Sequence, residues 1–306
     1  MVNGFGDSDS RDPFMFVWER AGNVLSENGS ASQNATQLCV RNAYPATNTP
    51  KDTSMQTIVL ATQKGGSGKS TLAIGLALAA IQAGHAVRLI ETDSQGTLSS
   101  WQRRRIYAEP VVEPVYVAGD IEPRLRLLER RGVTVTIIDT AAGTSAATTA
   151  AIRHADLCLI PARPSIADVE ATTSTVELAR AWKKPFAFVL NQAPIRGQRV
   201  GSAAASLGDE AALDLADILA QPFIVMRNDH QDALGAGLAV SEYAPEGKSA
   251  DEIRGLWHWI ETRLGIELSV AASIDAQPIA SALPAPPELA PAMFLLTPAE
   301  VAALTP

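Results

Sequence analysis

Lys64-Gly65-Gly66-Ser67-Gly68-Lys69-Ser70-Thr71 stands between two apolar runs of different character. The run before it, 57–62, has the composition of a buried strand, and the run after it, 72–83, has the spacing of an apolar helix. Three glycines let successive backbone N–H groups turn inward as an anion-binding nest, to which the start of the helix adds unpaired N–H groups. The order of strand, glycine-rich turn and helix therefore predicts a loop that binds the phosphates of a nucleotide.

The side chains of this loop have separate expected tasks. Lys69 is placed to reach the β- and γ-phosphates, Ser70 to offer a hydroxyl to Mg²⁺, and Thr71 to reach the α-phosphate. The remaining candidate nucleotide-binding residues contribute backbone and are Gly65, Gly66, Ser67 and Gly68. The general pattern has a glycine at position 63, where this chain has Gln63, and the next residue is a second lysine, Lys64. The alternative is a glycine-rich turn that binds nothing.

Lys-Gly-Gly-x-Gly-Lys-Ser-Thr resembles the deviant Walker A box of the ParA/MinD family of P-loop ATPases. The resemblance implies ATP and Mg²⁺ as cofactors and an ATPase with a weak basal rate. It also implies an ATP-dependent homodimer in which Lys64 acts in catalysis by reaching the nucleotide of the second copy. The likeness covers residues 57–264, and both ends of the chain lie outside it.

A carboxylate follows the second predicted strand, in Glu91-Thr92-Asp93-Ser94-Gln95-Gly96. A carboxylate at such a strand end can hold Mg²⁺ through water or position the attacking water. The stretch resembles the family's Asp-x-Asp-Pro-Gln-Gly box, with Glu91 in place of the first Asp and Ser94 in place of Pro. The resemblance implies that Asp93 is essential for hydrolysis. A helix N-cap is the alternative role for the same residue.

Two further strands end in polar residues. The apolar strand 133–138 runs into Asp139, which is the Walker B arrangement for holding the hydration shell of Mg²⁺. Strand 185–190 ends at Asn191, and the resemblance implies that this asparagine recognises adenine. Asp168 is expected to cap or anchor a helix that the resemblance places at the dimer interface. Ser70, Asp93 and Asp139 are thus the candidate metal-site residues.

Strands and helices alternate between the two ends of the chain. Strands are predicted at 57–62, 86–91, 111–117, 133–139, 156–161, 185–190 and 222–226. Helices are predicted at 69–83, 97–107, 121–131, 145–153, 167–182, 209–220, 229–235 and 249–264. The expected fold is α/β with three layers, a mostly parallel twisted sheet with helices on both faces, of the P-loop NTPase type.

Composition changes sharply at both ends. Residues 1–54 are polar and carry a net charge of −2, and we expect a disordered leader, with Met55 as an alternative start of translation. Residues 265–306 are rich in Ala and Pro, carry four acids and no base, and are expected to form a flexible tail. Residues 55–264 are expected to form the ATPase domain. Membrane anchoring is not expected, since no apolar run reaches the required ~20 residues and the tail lacks the cations of an interfacial helix.

A nucleotide-dependent switch that moves DNA is the leading expectation from the resemblance. The ATP-bound dimer would bind DNA nonspecifically and a ParB-like, centromere-binding partner would stimulate hydrolysis, in a cytoplasmic, nucleoid-associated protein that serves plasmid or chromosome partition. The candidate DNA contacts are basic residues of the C-terminal third: Arg196, Arg199, Arg227, Lys248 and Arg254. Arg103-Arg104-Arg105 is expected to be a solvated helix face. The alternatives are a positioning ATPase for another cargo and a biosynthetic ligase or synthetase of the same fold.

Overall fold

The computed structural model describes residues 54–196, 198–211 and 215–266. Over these residues the chain alternates between strand and helix, as predicted. The expected leader, apart from its last residue, and the expected tail, apart from its first two, lie outside the described residues and stay predictions. No helix in the described segments is long and apolar enough to cross a membrane.

One parallel sheet organises the described residues. Its six strands are β1 (Gln56–Leu60), β2 (Val87–Glu91), β3 (Val111–Pro114), β4 (Val135–Asp139), β5 (Leu157–Ala162) and β6 (Phe186–Leu190). Their order is β3-β2-β4-β1-β5-β6, and every neighbouring pair is parallel. The register sets Asp139 beside both Leu60 and Glu91, so β1, β2 and β4 end at one level. The loop after the central strand β1 therefore begins next to the carboxyl end of β4.

The first six helices of the described segments connect these strands, and the other five follow β6. They are α1 (Lys69–Gln82), α2 (Thr97–Arg104), α3 (Ala118–Arg130), α4 (Ala146–His154), α5 (Ile166–Glu170), α6 (Thr173–Ala181), α7 (Arg199–Ala211), α8 (Leu215–Ile218), α9 (Asp229–Gly235), α10 (Val240–Tyr243) and α11 (Lys248–Leu264). A right-handed crossover helix is the usual link between parallel strands.

Alternate side chains of the strands enter two separate hydrophobic cores. Ile58 and Leu60 of β1 point to the face that is covered by α1, α2 and α11, whereas Val59 points to the face covered by α3, α4, α6 and α7. All three residues are fully buried. Cys158 of β5 lies in the second core, where burial raises the pKa of its thiol to about 12, so it is an inert core residue. The three-layer α/β fold is confirmed.

Three predicted elements are wrong in detail. Residues 222–226 form no strand of the sheet and make one isolated bridge, from Val225 to Ala193. The predicted helix 167–182 is two helices, α5 and α6. Its break falls at Thr172, whose hydroxyl and N–H both bond the carbonyl of Val169. The predicted helix 209–220 is replaced by α7, which begins ten residues earlier, and by the short α8.

The triple-arginine stretch is a solvated face only in part, since Arg103 and Arg104 are exposed but the side chain of Arg105 is not. Arg105 has 1% of its side chain exposed and pairs with Glu242 through two bonds of 2.8 Å. Arg104 donates to the carbonyl of Leu234 at 3.0 Å and 3.2 Å. Both arginines therefore fasten α2 to the segment that contains α9 and α10.

Candidate nucleotide-binding site

The glycine-rich loop connects β1 to α1 in the conformation that the sequence predicts. Gly66 and Gly68 have φ angles of +74° and +91°, in the left-handed region that glycine occupies without strain. A Cβ on Gly68 would also lie 2.1 Å from Nδ2 of Asn191, so no side chain fits there. Helix α1 starts at Lys69, and its first turn is closed by the N–H of Leu72 on the carbonyl of Gly68, at 2.9 Å.

Lys69 is folded back against this loop. It is 7% exposed, and its Nζ lies 3.4 Å from the carbonyl oxygen of Lys64. Burial lowers the pKa of Lys69, while the carboxylates of Asp139 and Asp93 act in the opposite direction. The ammonium group is thus enclosed between the loop and two carboxylates, where a phosphate would compensate its buried charge.

Asp139 provides the test of whether the residues fit a magnesium nucleotide. It is 1% exposed, and neither carboxylate oxygen has a partner in hydrogen-bond geometry within the described part of the chain. Burial raises its pKa to about 7, against the lowering effects of the nearby Ser70 hydroxyl and Lys69 ammonium. Buried carboxylate oxygens without donors are costly unless a cation meets them. Asp139 and Ser70 therefore fit the water shell of Mg²⁺ or the ion itself.

Asp93 lies in the loop between β2 and α2, half-buried, and its charge acts on both Lys69 and Asp139. Its Oδ1 accepts a bond of 2.9 Å from the N–H of Gln95 within the same turn. Helix α2 begins four residues after Asp93, with Gly96 at the N-cap, so the capping alternative for Asp93 is wrong. Its carboxylate therefore lies near both Lys69 and Asp139 and does not hold the N-terminus of α2.

Glu91, rather than Asp93, holds the start of α2. Its carboxylate is fully buried and accepts from the N–H of Leu98 at 2.6 Å, from the N–H of Ser99 at 3.3 Å and from the Ser99 hydroxyl. A carboxylate on unpaired N–H groups at a helix N-terminus is stabilising. The glutamate that departs from the family's box thus fixes the far end of the loop that carries Asp93.

Lys64 pairs with a buried carboxylate other than the two that act on Lys69. Its Nζ lies 3.0 Å from Oδ2 of Asp168, whose Oδ1 is 2.9 Å from Nε of Arg163. Burial alone would raise the pKa of Asp168, but hydrogen bonds from Ser165, Arg163 and Lys64 together lower it. Asp168 also lies in the first turn of α5, where the Ser165 side chain caps its N–H, so the expected anchoring contact exists.

Two amide side chains from the end of β6 reach the phosphate loop. Nδ2 of Asn191 donates to the carbonyl of Ser67 at 2.7 Å, and Nε2 of Gln192 donates to the carbonyl of Gly66 at 2.9 Å. The amide nitrogen of Asn191 thus bonds the loop, and the residue is 5% exposed. Its recognition of adenine stays a prediction. Gln192 was missed by the sequence reasoning, since no local pattern indicates a contact across 126 residues.

The candidate DNA contacts fall into two groups. Arg227 pairs with Glu252 at 2.7 Å, and Arg254 pairs with Asp251 at 2.6 Å. These two arginines are therefore partly neutralised. The other candidates are exposed and make no ion pair in the segments that the structure describes: Arg196, Arg199 and Lys248.

The model of the CobQ/CobB/MinD/ParA nucleotide binding domain matches residues 58–220, more than half of the chain. The chain is similar to "Maintenance of carboxysome distribution protein A" of Gloeobacter kilaueensis, with 33% identity over 133 residues that cover 42% of this chain and 59% of the relative. It is also similar to "Protein ParA" of Rhizobium radiobacter, with 30% identity over 128 residues that cover 40% of this chain and 56% of the relative. The matches thus span less than two thirds of either relative.

Among solved structures, the chain resembles an McdA variant from Cyanothece in complex with ATP. The TM-score is 0.58 at 18% identity, over 71% of this chain and 99% of the other. A likeness at this identity shows the fold alone.

Proposed function

The chain belongs to the CobQ/CobB/MinD/ParA family of nucleotide-binding domains, and from that membership we propose that it is an ATPase whose ATP-bound form is a homodimer that positions a cargo on DNA. The observation that carries the proposal is the pair of lysines in one loop. Lys69 is buried beside Asp139, whereas the side chain of Lys64 is 33% exposed and pairs with Asp168. One lysine faces the site of its own chain, and the other has a different task.

Within one protomer, the nucleotide would be held by the phosphate loop. The N–H groups of residues 65–71 would bind the phosphates, Lys69 would neutralise the β- and γ-phosphates, and Ser70 and Asp139 would hold Mg²⁺. The ion would supply charge neutralisation between the β- and γ-phosphate oxygens. Asp93 would orient the attacking water, because its carboxylate lies near Lys69 and is not used to cap α2.

Lys64 would complete the site of a second copy. The lysine side chain is 33% exposed, and Asp168 keeps its bonds from Arg163 and Ser165 when the ammonium leaves, so the cost of breaking this pair is moderate. A cation that arrives with the partner would stabilise the charge that develops on the phosphates during hydrolysis. Hydrolysis would then dissociate the dimer. A weak basal rate of hydrolysis would make the ATP-bound dimer long-lived.

Nonspecific DNA would be bound by unpaired cations of the dimer, which need no contact with bases. Arg196, Arg199 and Lys248 support this role better than Arg227 and Arg254, which already have carboxylate partners. The cargo is proposed to be a plasmid or chromosome region bound by a ParB-like partner, and this places the protein on the nucleoid. The similarity to a ParA protein and to a carboxysome distribution protein supports a positioning role.

The role of Lys64 is tested in a background that cannot hydrolyse ATP. Asp93→Ala with saturating Mg²⁺ and ATP is expected to form dimers in sedimentation velocity, and Asp93→Ala/Lys64→Ala is expected to bind ATP with similar affinity but to remain monomeric. Lys69→Ala is the contrasting variant, since it should lose ATP binding itself. A monomeric Asp93→Ala protein at saturating ATP would contradict the proposed switch.

The DNA contacts are tested with a double substitution and a charge-matched control. Arg196→Ala/Arg199→Ala is expected to weaken retention on nonspecific duplex DNA and to reduce the dependence of binding on salt by nearly two counterions. Arg130→Ala/Arg131→Ala removes the same charge from the exposed end of α3 and is expected to retain binding. Equal loss in both double variants would show that net charge alone matters. No loss in either variant would exclude Arg196 and Arg199 as DNA contacts.

A further inference from the structure

The end of β6 supports the phosphate loop from outside. Asn191 and Gln192 are consecutive residues, and their amide groups meet consecutive carbonyls of the loop, those of Ser67 and Gly66. Because a carbonyl oxygen accepts and cannot donate, the nitrogen of each amide must be the atom that faces it. Both side chains are thus donors to the loop.

These two bonds determine where two loop N–H groups point. In a trans peptide, the C=O and the N–H of one plane point in opposite directions. Holding the carbonyl of Gly66 toward β6 turns the N–H of Ser67 the other way, and holding the carbonyl of Ser67 does the same for the N–H of Gly68. Anion-binding loops depend on such aligned N–H groups.

The backbone of Gln192 is strained, as expected for a residue whose side chain is held in a fixed position against the phosphate loop. Its φ angle is +52°, in the left-handed region that non-glycine residues seldom adopt. Such strain persists where the surroundings hold it, and it clusters at ligand sites. The next residue is fixed from the other side, because the N–H of Ala193 donates to Ile224 and its carbonyl accepts from Met226, both at 2.9 Å. The strained residue is therefore held between a rigid strand end and the loop.

We propose that Gln192, together with Asn191, is a positioning residue of the nucleotide site, which orients the N–H groups of Ser67 and Gly68 toward the phosphates. The proposal rests on the proposed function, since it requires that the loop binds a nucleoside triphosphate. It assigns the two side chains to the phosphate part of the ligand, whichever base the ligand carries.

The test uses Gln192→Gly, which removes the amide and releases the backbone strain together. We expect the dissociation constant for ATP with Mg²⁺ to rise by roughly 5- to 10-fold, the effect of one lost hydrogen bond, while the melting temperature of the free protein stays equal or rises. Substitution of a merely structural residue would instead lower the melting temperature together with the affinity for ATP. Inorganic tripolyphosphate and GTP should lose the same factor as ATP, because the contact acts on the phosphate loop.

Lys183→Gly is the matched control. Lys183 is the other described non-glycine residue with positive φ, at +54°, and it is exposed and remote in sequence from the loop. It should show the same relief of strain with unchanged affinity. Asn191→Ala is the second variant and should weaken all three ligands alike.

The outcomes separate the two proposals. If the wild-type protein binds ATP and Gln192→Gly binds it equally well, the positioning role is overturned. If Asn191→Ala weakens ATP but leaves tripolyphosphate binding unchanged, Asn191 reads the base and the joint role is overturned. If the wild-type protein binds neither ATP nor GTP, the proposed function itself fails.

Discussion

The buried carboxylate of Asp168 accepts hydrogen bonds from Lys64, Arg163 and Ser165. The stability that these bonds contribute therefore depends on pH. The partners Lys64 and Arg163 belong to the loop after β1 and to the segment after β5. The side chain of Asp168 is 4% exposed, while those of the lysine and the arginine are about one third exposed. The carboxylate is therefore the costly group to leave unpaired, because both cations can turn to solvent.

Asp168→Asn is expected to destabilise the protein at neutral pH by about 1 to 3 kcal/mol, since charge-assisted bonds are replaced by weaker ones. The folded-state pKa of Asp168 lies below its ordinary value of 3.8, so the stability that it contributes is present above that value and is lost as the pH falls through the lowered pKa. Urea unfolding between pH 7 and pH 2 should therefore show the two proteins converging on the acid side.

Asp251→Asn is the control for this measurement, because its pair with Arg254 is exposed, with 66% and 41% of the two side chains accessible. We expect its effect to stay within about 0.5 kcal/mol at every pH. A difference between wild type and Asp168→Asn that stays constant down to pH 2 would contradict the assignment of the lowered pKa to this carboxylate.

At the scale of elements, α2 connects the loop that carries Asp93 to the C-terminal segment that contains α9 and α10. Glu91 holds its first turn, Trp101 is fully buried and donates from Nε1 to the carbonyl of Leu238 at 3.1 Å, and Arg105 ends it against Glu242. The helix is thus fastened at both ends and in the middle. A conformational change in the loop that carries Asp93 must therefore be confined to that loop or must move the whole helix.

Glu91→Gln tests the contact between Glu91 and the N-terminus of α2. The amide keeps one acceptor but loses the negative charge at the helix N-terminus, so we expect a loss of about 1 to 2 kcal/mol in urea unfolding and a fall in ATP turnover. Glu129→Gln on the exposed face of α3 should change neither quantity. Full stability in Glu91→Gln would show that the backbone N–H groups of α2 are equally well satisfied by a neutral acceptor.

Gly237→Ala tests the other end of α2. The φ angle of Gly237 is +71°, and an added Cβ would lie 2.6 Å from the carbonyl carbon and oxygen of Arg104. Backbone atoms cannot move aside as a flexible side chain does, so a loss of about 2 to 5 kcal/mol is expected in urea unfolding. Gly235→Ala is the neighbouring control. An added Cβ meets nothing there within 4 Å, and the protein should be unchanged or about 0.5 kcal/mol more stable.

The sequence could predict these elements where one local signal dominated. Strands β1 to β6 were found because each lies in a mainly apolar run, and β4 and β6 also run directly into Asp139 and Asn191. Helix α1 was found because glycine precedes it. Residues 222–226 have a strand's composition, but Ile224 is apolar because it packs in the core with α11. The break between α5 and α6 has no Gly or Pro, since the hydroxyl of Thr172 makes it.

The site itself was predictable only in part for the same reason. Lys69, Asp93 and Asp139 follow from motifs at strand ends. The partners that determine their behaviour, such as Asp168 for Lys64 or Gln192 for the loop, come from distant parts of the chain. The sequence shows that Glu91 replaces the aspartate of the family's box. It does not show that the Glu91 carboxylate binds the N-terminus of α2, so the role of this residue could not be predicted.

At the scale of the whole molecule, helix α11 completes the domain. Ile253, Leu256 and Ile260 are fully buried in the core between α11 and α1, and Ile253 lies 3.2 Å from the position of a Cβ on Gly75. Since α1 follows the phosphate loop directly, α11 supports the nucleotide site from the far side of that helix. The domain boundaries predicted from the sequence, 55 and 264, enclose all of these contacts.

A fragment of residues 55–266 is therefore expected to fold alone and to bind ATP with the affinity of the full chain, because the described contacts of the nucleotide site all lie within it. Thermal unfolding and calorimetric titration with Mg²⁺ and ATP measure both quantities. A fragment of residues 55–247, which lacks α11, would expose the apolar face of α1 and should be unfolded or aggregated. If the 55–266 fragment melts well below the full chain, or loses ATP affinity, then residues 1–54 or 267–306 contribute to this domain and the predicted boundaries are wrong. If the 55–247 fragment also folds and binds ATP, then α11 is not required for the core that supports the phosphate loop.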